Sequence, residues 1–371
     1  MNKAYSVVWN HARQTWIVVS ELARCHGFVL AKKTILTLAV VSTIGNSFAK
    51  NISSGVAIGE FVSSGEVQVV YSSGQTSNAT VNSGGIQNVN NGGKTTSTTI
   101  ESSGAQNVGI SGTAISTIVN SGGIQRVSSG GITSATQLSG GAQNVYNLGN
   151  ASNTVIFKGG NQTISSGGVA DNTNVSSGGQ QRISSGGTGT NTILNNSGIQ
   201  HVLSGGSAVS TYINNGGVQH ISAGGNVTNT TVSSGGFQRI SSGGGATSTT
   251  LSGGIQNVSS GGSAVSTTID SAGTQTVYAG ANVTDTTVNS GGRQNISSGG
   301  IVSGTIVNSS GTQNIYFGGR AISANIRGVQ IVNSDGIAIG TQVNDSGYGR
   351  CEQVPDMRSC LSSGAMEQGS S

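Results

Sequence analysis

Aliphatic side chains recur along this chain at a fixed distance from glutamine. Two positions after each of fifteen glutamines stands a valine or an isoleucine, from Val70 to Val332. A second aliphatic column repeats at the same period from Val81 to Ile326, mostly with threonine two positions before it. Positions two apart share one face of a strand, and β-branched residues suit a pleated surface. The pattern predicts two short strands in every repeat.

The period itself is close to constant. Of the fourteen intervals between the glutamines, eleven span nineteen positions, two span eighteen and one spans seventeen. The glutamines are Gln68, Gln87, Gln106, Gln125, Gln143, Gln162, Gln181, Gln200, Gln219, Gln238, Gln256, Gln275, Gln294, Gln313 and Gln330. A flexible linker has no such period, although 62 glycines in 371 residues would otherwise suggest one.

Serine and glycine separate the strands. Each repeat reads as strand, Ser-Gly-Gly corner, strand, Ser-Gly-Gly corner, with glycine supplying the positive φ angles of tight corners. The three short intervals each lose residues at a corner, after Leu138, Leu251 or Ile326, so the aliphatic columns stay in register. We therefore predict an all-β protein, a parallel β-solenoid of about fifteen 19-residue rungs over residues 50–347.

The glutamine column is a candidate structural ladder. It shares a strand face with the aliphatic residue two positions on, and stacked amides can donate and accept along the axis. The alternative is an exposed glutamine chosen for turn preference. The candidate ladder residues are Gln87, Gln106, Gln125, Gln162, Gln181, Gln200, Gln219, Gln238, Gln275, Gln294 and Gln313.

Residues 1–49 lack the repeat and have the features of a signal peptide. Lys32 and Lys33 precede an apolar run, and Ser47 and Ala49 have the spacing of a signal peptidase site. We predict cleavage after Ala49; a hydrophobic anchor is the alternative.

The charge balance follows from this leader. The chain has 16 basic and 12 acidic residues, and the first 49 residues contain five of the basic and one of the acidic ones, leaving 11 of each. The sequence pI of about 9.1 therefore gives no support for nucleic-acid binding.

The segment "MNKAYSVVWNHARQTWIVVSELARCHG" precedes the signal peptide proper. It resembles the extended signal region of type V autotransporters, and together with the repeats the chain resembles the AIDA-type adhesins (adhesin involved in diffuse adherence) up to about residue 347. The resemblance implies a surface-exposed passenger folded as a right-handed parallel β-helix. It also implies adhesion to host cells, self-association between bacteria, and O-linked heptose added to repeat serines and threonines by a heptosyltransferase.

The repeats stop after Gly347, and residues 348–371 read as an unrelated, disordered tail. Its Cys351 and Cys360 could form a disulfide in an oxidising compartment, or could be a chance pair. The resemblance also implies a translocator barrel after the repeats, and we expect this chain to lack one. We therefore expect a cell-surface or extracellular location by resemblance, and the periplasm if no barrel is supplied.

Signs of catalysis are nearly absent. His201 and His220 occupy the same position in consecutive repeats, which predicts a stacked surface pair without a third ligand for a metal. Asp171, Asp270 and Asp285 occupy different positions of the repeat and form no acid–base pair. We predict a non-enzymatic protein with no cofactor.

Hydroxyl groups are abundant at the corners, where serine is a good turn residue in its own right. On the family resemblance, candidate O-glycosylation sites are Ser128, Ser129, Ser165, Ser166, Ser184, Ser185, Ser241, Ser242, Ser259, Ser260, Ser297 and Ser298. The leading hypothesis is an adhesin passenger that presents many weak contacts to a host-cell receptor or glycan. The alternatives are a module that binds copies of itself and a silent truncated product.

Overall fold

A computed structural model describes residues 5–10, 15–20, 49–344 and 347–351, with backbone alone for the first two ranges and for residues 350 and 351. The strands Tyr5–Asn10 and Thr15–Ser20 form an antiparallel pair. That pair belongs to a unit covering residues 1–45, and the repeats belong to a second unit covering residues 46–371. Among the described residues there is no helix that could cross a membrane.

The repeats form a parallel β-solenoid of about sixteen turns, which confirms the predicted fold class. Three sheets run along it, and each strand pairs with the equivalent strand one turn before and after. The glutamine sheet consists of the strands Ala49–Ile52, Val67–Val70, Ile86–Val89, Ala105–Val108, Ile124–Val127, Ala142–Val145, Asn161–Ile164, Gln180–Ile183, Ile199–Val202, Val218–Ile221, Phe237–Ile240, Ile255–Val258, Thr274–Val277, Arg293–Ile296, Thr312–Ile315, Val329–Val332 and Tyr348–Cys351.

The other two sheets have sixteen strands each. The small-residue sheet consists of Val56–Ile58, Gln75–Ser77, Lys94–Thr96, Thr113–Ile115, Ile132–Ser134, Asn150–Ser152, Val169–Asp171, Thr188–Thr190, Ser207–Val209, Asn226–Thr228, Gly245–Thr247, Ser263–Val265, Asn282–Thr284, Ile301–Ser303, Arg320–Ile322 and Ile337–Ile339. The aliphatic sheet consists of Phe61–Val62, Thr80–Val81, Thr99–Ile100, Ile118–Asn120, Gln137–Ser139, Val155–Ile156, Asn174–Val175, Ile193–Leu194, Tyr212–Ile213, Thr231–Ser233, Thr250–Ser252, Thr268–Ile269, Thr287–Val288, Ile306–Val307, Asn325–Ile326 and Gln342–Val343.

The prediction of two strands per repeat was wrong, because a third corner divides the second strand. At this corner one residue has a positive φ, such as Asn78 at 54° or Ser97 at 55°. Asparagine adopts the left-handed conformation more readily than most other non-glycine residues, and serine occupies it here at Ser97 and Ser116. The chain therefore turns between the small-residue and aliphatic sheets without a Ser-Gly-Gly sequence.

The shortened repeats keep their register, as predicted. Gln143 pairs with Gln125, Gln256 with Gln238, and Gln330 with Gln313, although these three intervals are shorter than all the others. A register shift by one residue would turn the buried side chains outward. The missing residues are therefore lost only from corners.

The two ends of the stack differ from the sequence-based boundaries. At the start, Ala49–Ile52 pairs with Val67–Val70 and places Lys50 opposite Gln68. At the end, Tyr348–Cys351 pairs with Val329–Val332, so the stack continues past Gly347, where the tail was predicted to begin. Residues 352–371, and with them Cys360, lie outside the described residues.

The interior contains two apolar columns. One combines the valines and isoleucines of the glutamine sheet with the small side chains opposite them, for example Ile164 and Ala170. The other is the inner column of the aliphatic sheet, for example Leu194 and Ile213. The glutamines and a column of threonines are buried with them. Polar groups at such depth must find hydrogen-bond partners, because burying them unpaired is costly.

Candidate functional site

The glutamine side chains form one continuous buried ladder. From Gln87 to Gln330, each Nε2 donates to the Oε1 of the glutamine one turn earlier, at 2.6–2.9 Å in fourteen consecutive bonds, the first of them to Gln68. The ladder includes all eleven glutamines proposed from the sequence. It also includes Gln68, Gln143, Gln256 and Gln330, so the shortened corners do not interrupt it.

Buried threonines complete the hydrogen bonding of the ladder. In twelve turns a threonine eleven residues after the glutamine donates its hydroxyl to the same Oε1, at 3.1–3.5 Å; Thr192 and Gln181 are one such pair. Each of these carbonyl oxygens thus accepts two bonds. The sequence shows the threonine column but not this bond, since the bond joins the glutamine sheet to the corner just before the aliphatic sheet.

The glutamine ladder ends where the next turn has no glutamine. Lys50 lies opposite Gln68 and Gly349 lies opposite Gln330, and neither can continue the amide chain. The Gln68 Nε2 and the Gln330 Oε1 are buried and have no hydrogen-bond partner among the described residues. The glutamines therefore act as a structural element, which orders the turns and leaves the outer surface free to vary.

The candidate serines lie on the corner that follows the glutamine sheet. The second serine of every pair is exposed, namely Ser129, Ser166, Ser185, Ser242, Ser260 and Ser298. Four of the first serines, Ser128, Ser165, Ser184 and Ser297, are half-buried, whereas Ser241 and Ser259 are exposed. The exposed members form a row of hydroxyl groups along one corner of the solenoid.

A second row of exposed serines follows the aliphatic sheet. Its members are Ser63, Ser64, Ser83, Ser102, Ser103, Ser121, Ser177, Ser197, Ser234, Ser271, Ser290, Ser309 and Ser310. Only the first row was predicted from the sequence. The same Ser-Gly motif occurs at both corners, so the second row could have been found from the sequence.

His201 and His220 are stacked on the outer face of the glutamine sheet. Their ring centroids are 5.2 Å apart and the ring planes differ by 12°. Desolvation lowers the pKa of both histidines, and the charges of neighbouring groups lower it further. No group of three or more His, Cys, Asp or Glu side chains that could hold a metal occurs in residues 49–344.

The three aspartates are separated in the fold. Asp171 lies on the small-residue sheet, Asp270 follows a strand of the aliphatic sheet, and Asp285 occupies a left-handed corner with a φ of 56°. Hydrogen bonds from Thr190 and Asn191 lower the pKa of Asp171. The structure does not bring them together as an acid–base pair.

We expect the histidine pair to make stability depend on pH. Both folded-state pKa values lie below 6.5, so the unfolded chain binds more protons as the pH falls through this range. The melting temperature should therefore decrease as the pH falls below 6.5. The His201→Gln/His220→Gln variant should lack this part of the decrease in thermal unfolding followed by circular dichroism. An identical pH profile for the variant would contradict the burial-lowered pKa values.

The fold and the ladder together define a class of protein: a long parallel β-solenoid stalk with a hydrogen-bonded polar core. Comparison with known proteins places it more narrowly. Residues 1–48 match the family described as Extended Signal Peptide of Type V secretion system. Residues 145–198 and 185–236 match the family described as Adhesin of bacterial autotransporter system, probable stalk (AIDA). The chain belongs to the AIDA-type family of autotransporter adhesins.

Two relatives support this assignment. The chain is 72% identical over 72 residues to the autotransporter adhesin AIDA-I of Escherichia coli, a match that covers 19% of this chain and 6% of AIDA-I. It is also similar to the crystal structure of a TibC-catalysed hyper-glycosylated fragment of TibA, residues 55–350. That match has 35% identity and a TM-score of 0.57, and covers 83% of this chain and 98% of the fragment.

Proposed function

We propose that the chain is the passenger of an exported, cell-surface adhesin that attaches bacteria to host cells and acts without catalysis. The observation that carries the proposal is the pair of serine rows on the corners of the solenoid, where exposed hydroxyl groups recur in many turns. Many weak contacts along such a rod add up through multivalency. The family membership and the signal-extension match support the same function.

Adhesion is tested with beads that display residues 50–347. We expect them to bind epithelial cells and to remain dispersed when no cells are present. Beads carrying bovine serum albumin are the control. Binding at the control level would contradict the adhesin function.

Self-association is the second candidate function. It is favoured by the outer threonine column Thr231, Thr250, Thr268 and Thr287, which repeats one polar group over four consecutive turns. Identical columns on two rods could pair lengthwise in register. Clumping of the same beads in the absence of epithelial cells is the result that this function predicts.

We also propose that the first row of serines is O-glycosylated, with a heptosyltransferase as the partner enzyme. The support is the exposure of the second serine in each pair and the similarity to the TibA fragment, whose glycosylation TibC catalysed. A transferase must reach the hydroxyl group. Exposed serines should therefore be modified more often than half-buried serines of the same corners.

The matched variants for this prediction come from three corners. The triple variant Ser129→Ala/Ser166→Ala/Ser185→Ala removes exposed hydroxyls, and Ser128→Ala/Ser165→Ala/Ser184→Ala removes their half-buried neighbours. After co-expression with a TibC-type enzyme, intact-mass spectrometry should show a larger loss of added sugar for the first variant. Equal losses, or an unmodified native chain, would count against the proposal.

A further inference from the structure

Four consecutive turns place a basic side chain at the same outer position of the glutamine sheet. Arg182, His201, His220 and Arg239 are register partners, each one turn from the next. We call them the basic column. No other column in residues 49–344 has a basic side chain in four successive turns. With turns about 4.8 Å apart, the column extends about 14 Å parallel to the solenoid axis.

An apolar column lies beside the basic column on the same strands. Ile199, Val218, Phe237 and Ile255 are also register partners, and all four are half-buried. Arg239 lies over the Phe237 ring, with 5.7 Å from Cζ to the ring centroid. The two columns together form a flat strip with cationic groups along one side and C–H surface along the other.

The strip contains no acidic side chain. On its strands, Gln180 and Asn257 are the outer residues nearest to its ends. The corners on either side, residues 176–179, 195–198, 214–217 and 233–236 before the strands and 184–187, 203–206, 222–225 and 241–244 after them, contain serine, glycine, alanine, leucine and asparagine. No carboxylate therefore neutralises the column, and its positive charge is available to an external anion.

We propose that this strip binds a linear anionic polysaccharide, aligned with the solenoid axis, through carboxylate or sulfate groups on the basic column. Sugar rings present C–H faces that suit the apolar column, and anionic groups that recur along an extended chain suit cations that recur at every turn. Nucleic acid suits the strip less well, because single strands need several free aromatic platforms. The strip offers the Phe237 ring, whereas the imidazoles of His201 and His220 stack on each other.

The histidines make the charge of the strip depend on pH. At neutral pH the two arginines carry the charge, because His201 and His220 are largely neutral. Protonation of both imidazoles doubles the charge from two to four. An anion bound beside the histidines favours their protonated form, so affinity should increase as the pH falls. The arginines provide a constant contribution at every pH.

This inference rests on the proposed adhesin function, for which it names a class of ligand. Its test, however, uses the purified full chain and no cells. Its failure would leave cell adhesion untouched. The probe is immobilised polygalacturonate, with neutral dextran as the reference polymer, at about pH 5 and about pH 7.5. We expect an affinity about tenfold higher at the lower pH, as a rise of about half a unit in each histidine pKa on binding would give.

Three variants separate the contributions. His201→Gln/His220→Gln should abolish the increase at low pH, and Arg182→Gln/Arg239→Gln should weaken binding about fivefold at both pH values. Arg126→Gln is the matched control, since Arg126 lies in the same outer row but has Asn107 and Asn144 as its neighbours. It should change affinity less than about twofold. All of these substitutions lie on the outer face, and circular dichroism checks that the variants fold.

Several results would overturn the proposal. They are equal binding to dextran, a pH response that survives in the double histidine variant, or a loss for Arg126→Gln as large as for the arginine pair. Tighter binding to single-stranded polythymidylate than to polygalacturonate would assign the strip to nucleic acid instead.

Discussion

Replacing Gln181 with leucine should destabilise the solenoid by about 2–6 kcal/mol, because two buried donors lose their acceptor at about 1–3 kcal/mol each. Gln200 Nε2 and Thr192 Oγ1 both donate to Gln181 Oε1, at 2.7 and 3.1 Å. Leucine has no acceptor, so both groups would stay buried without a partner. Chemical denaturation followed by circular dichroism measures the change.

The neighbouring residue is the control for this substitution. Gln180 lies on the same strand but points outward and is half-buried, so Gln180→Leu should change stability by about 0.5 kcal/mol or less. Similar losses for the two variants would mean that the ladder adds nothing beyond what any glutamine on this strand adds.

Gly187→Ala should destabilise the fold by about 4 kcal/mol or more, the range of severe core substitutions. A Cβ atom on Gly187 would lie 2.4 Å from the carbonyl oxygen of Ile164 and 2.6 Å from its carbonyl carbon, in the turn below. Both are backbone atoms, so relief requires the turns to separate. Thermal unfolding of the variant should show a lower transition temperature.

The adjacent glycine separates steric contact from backbone strain. Gly186 has a φ of 81° and open space around the position of a Cβ atom, whose nearest neighbour would be 3.8 Å away. Gly186→Ala should therefore cost only the left-handed conformation, about 1–2 kcal/mol. If Gly186→Ala proved the more damaging of the two, close stacking at the corners would not be what requires glycine.

The features repeated in every turn could be predicted from the sequence. The interval between glutamines gives the length of one turn, and the valine or isoleucine two residues later gives the inner face. The inward ladder follows from this shared face, because Gln219 and Ile221 must point the same way on one strand. These features are predictable because, in a parallel in-register stack, the pattern of one repeat fixes the position of the same residues in every other repeat.

Features that depend on a single residue or on contacts across the interior could not be predicted as well. The corner at Ser97 or Asn78 needs only one residue in the left-handed conformation, and serine and asparagine are too common here to mark it. The bond from Thr192 to Gln181 joins the corner before the aliphatic sheet to the glutamine sheet, and the sequence does not give the distance between them. The additional turn at Ala49–Ile52 has lysine where the pattern has glutamine, so the period did not include it.

The side chains that stabilise the solenoid are also largely different from those on its outer surface. The ladder, the threonines and the two apolar columns are all buried, whereas the outer positions contribute side-chain hydrogen bonds at some turns only, such as Asn107 to Asn88. The basic column replaces the asparagines and threonines that occupy the same outer position in neighbouring turns, and packing of the interior does not require this replacement. We expect partners to bind at such positions, where the outer surface differs from the repeat.

Each repeat adds one turn to a parallel stack. Electron–electron double resonance tests it directly, with nitroxide labels at Asn107 and Asn257 or at Asn107 and Asn295, in a chain whose three cysteines are replaced by serine. These outer residues are eight and ten turns apart. A parallel stack predicts narrow distance distributions near about 38 and about 48 Å, at about 4.8 Å per turn. Broad distributions centred at about 60–80 Å, the dimension of flexible chains of these lengths, would contradict it.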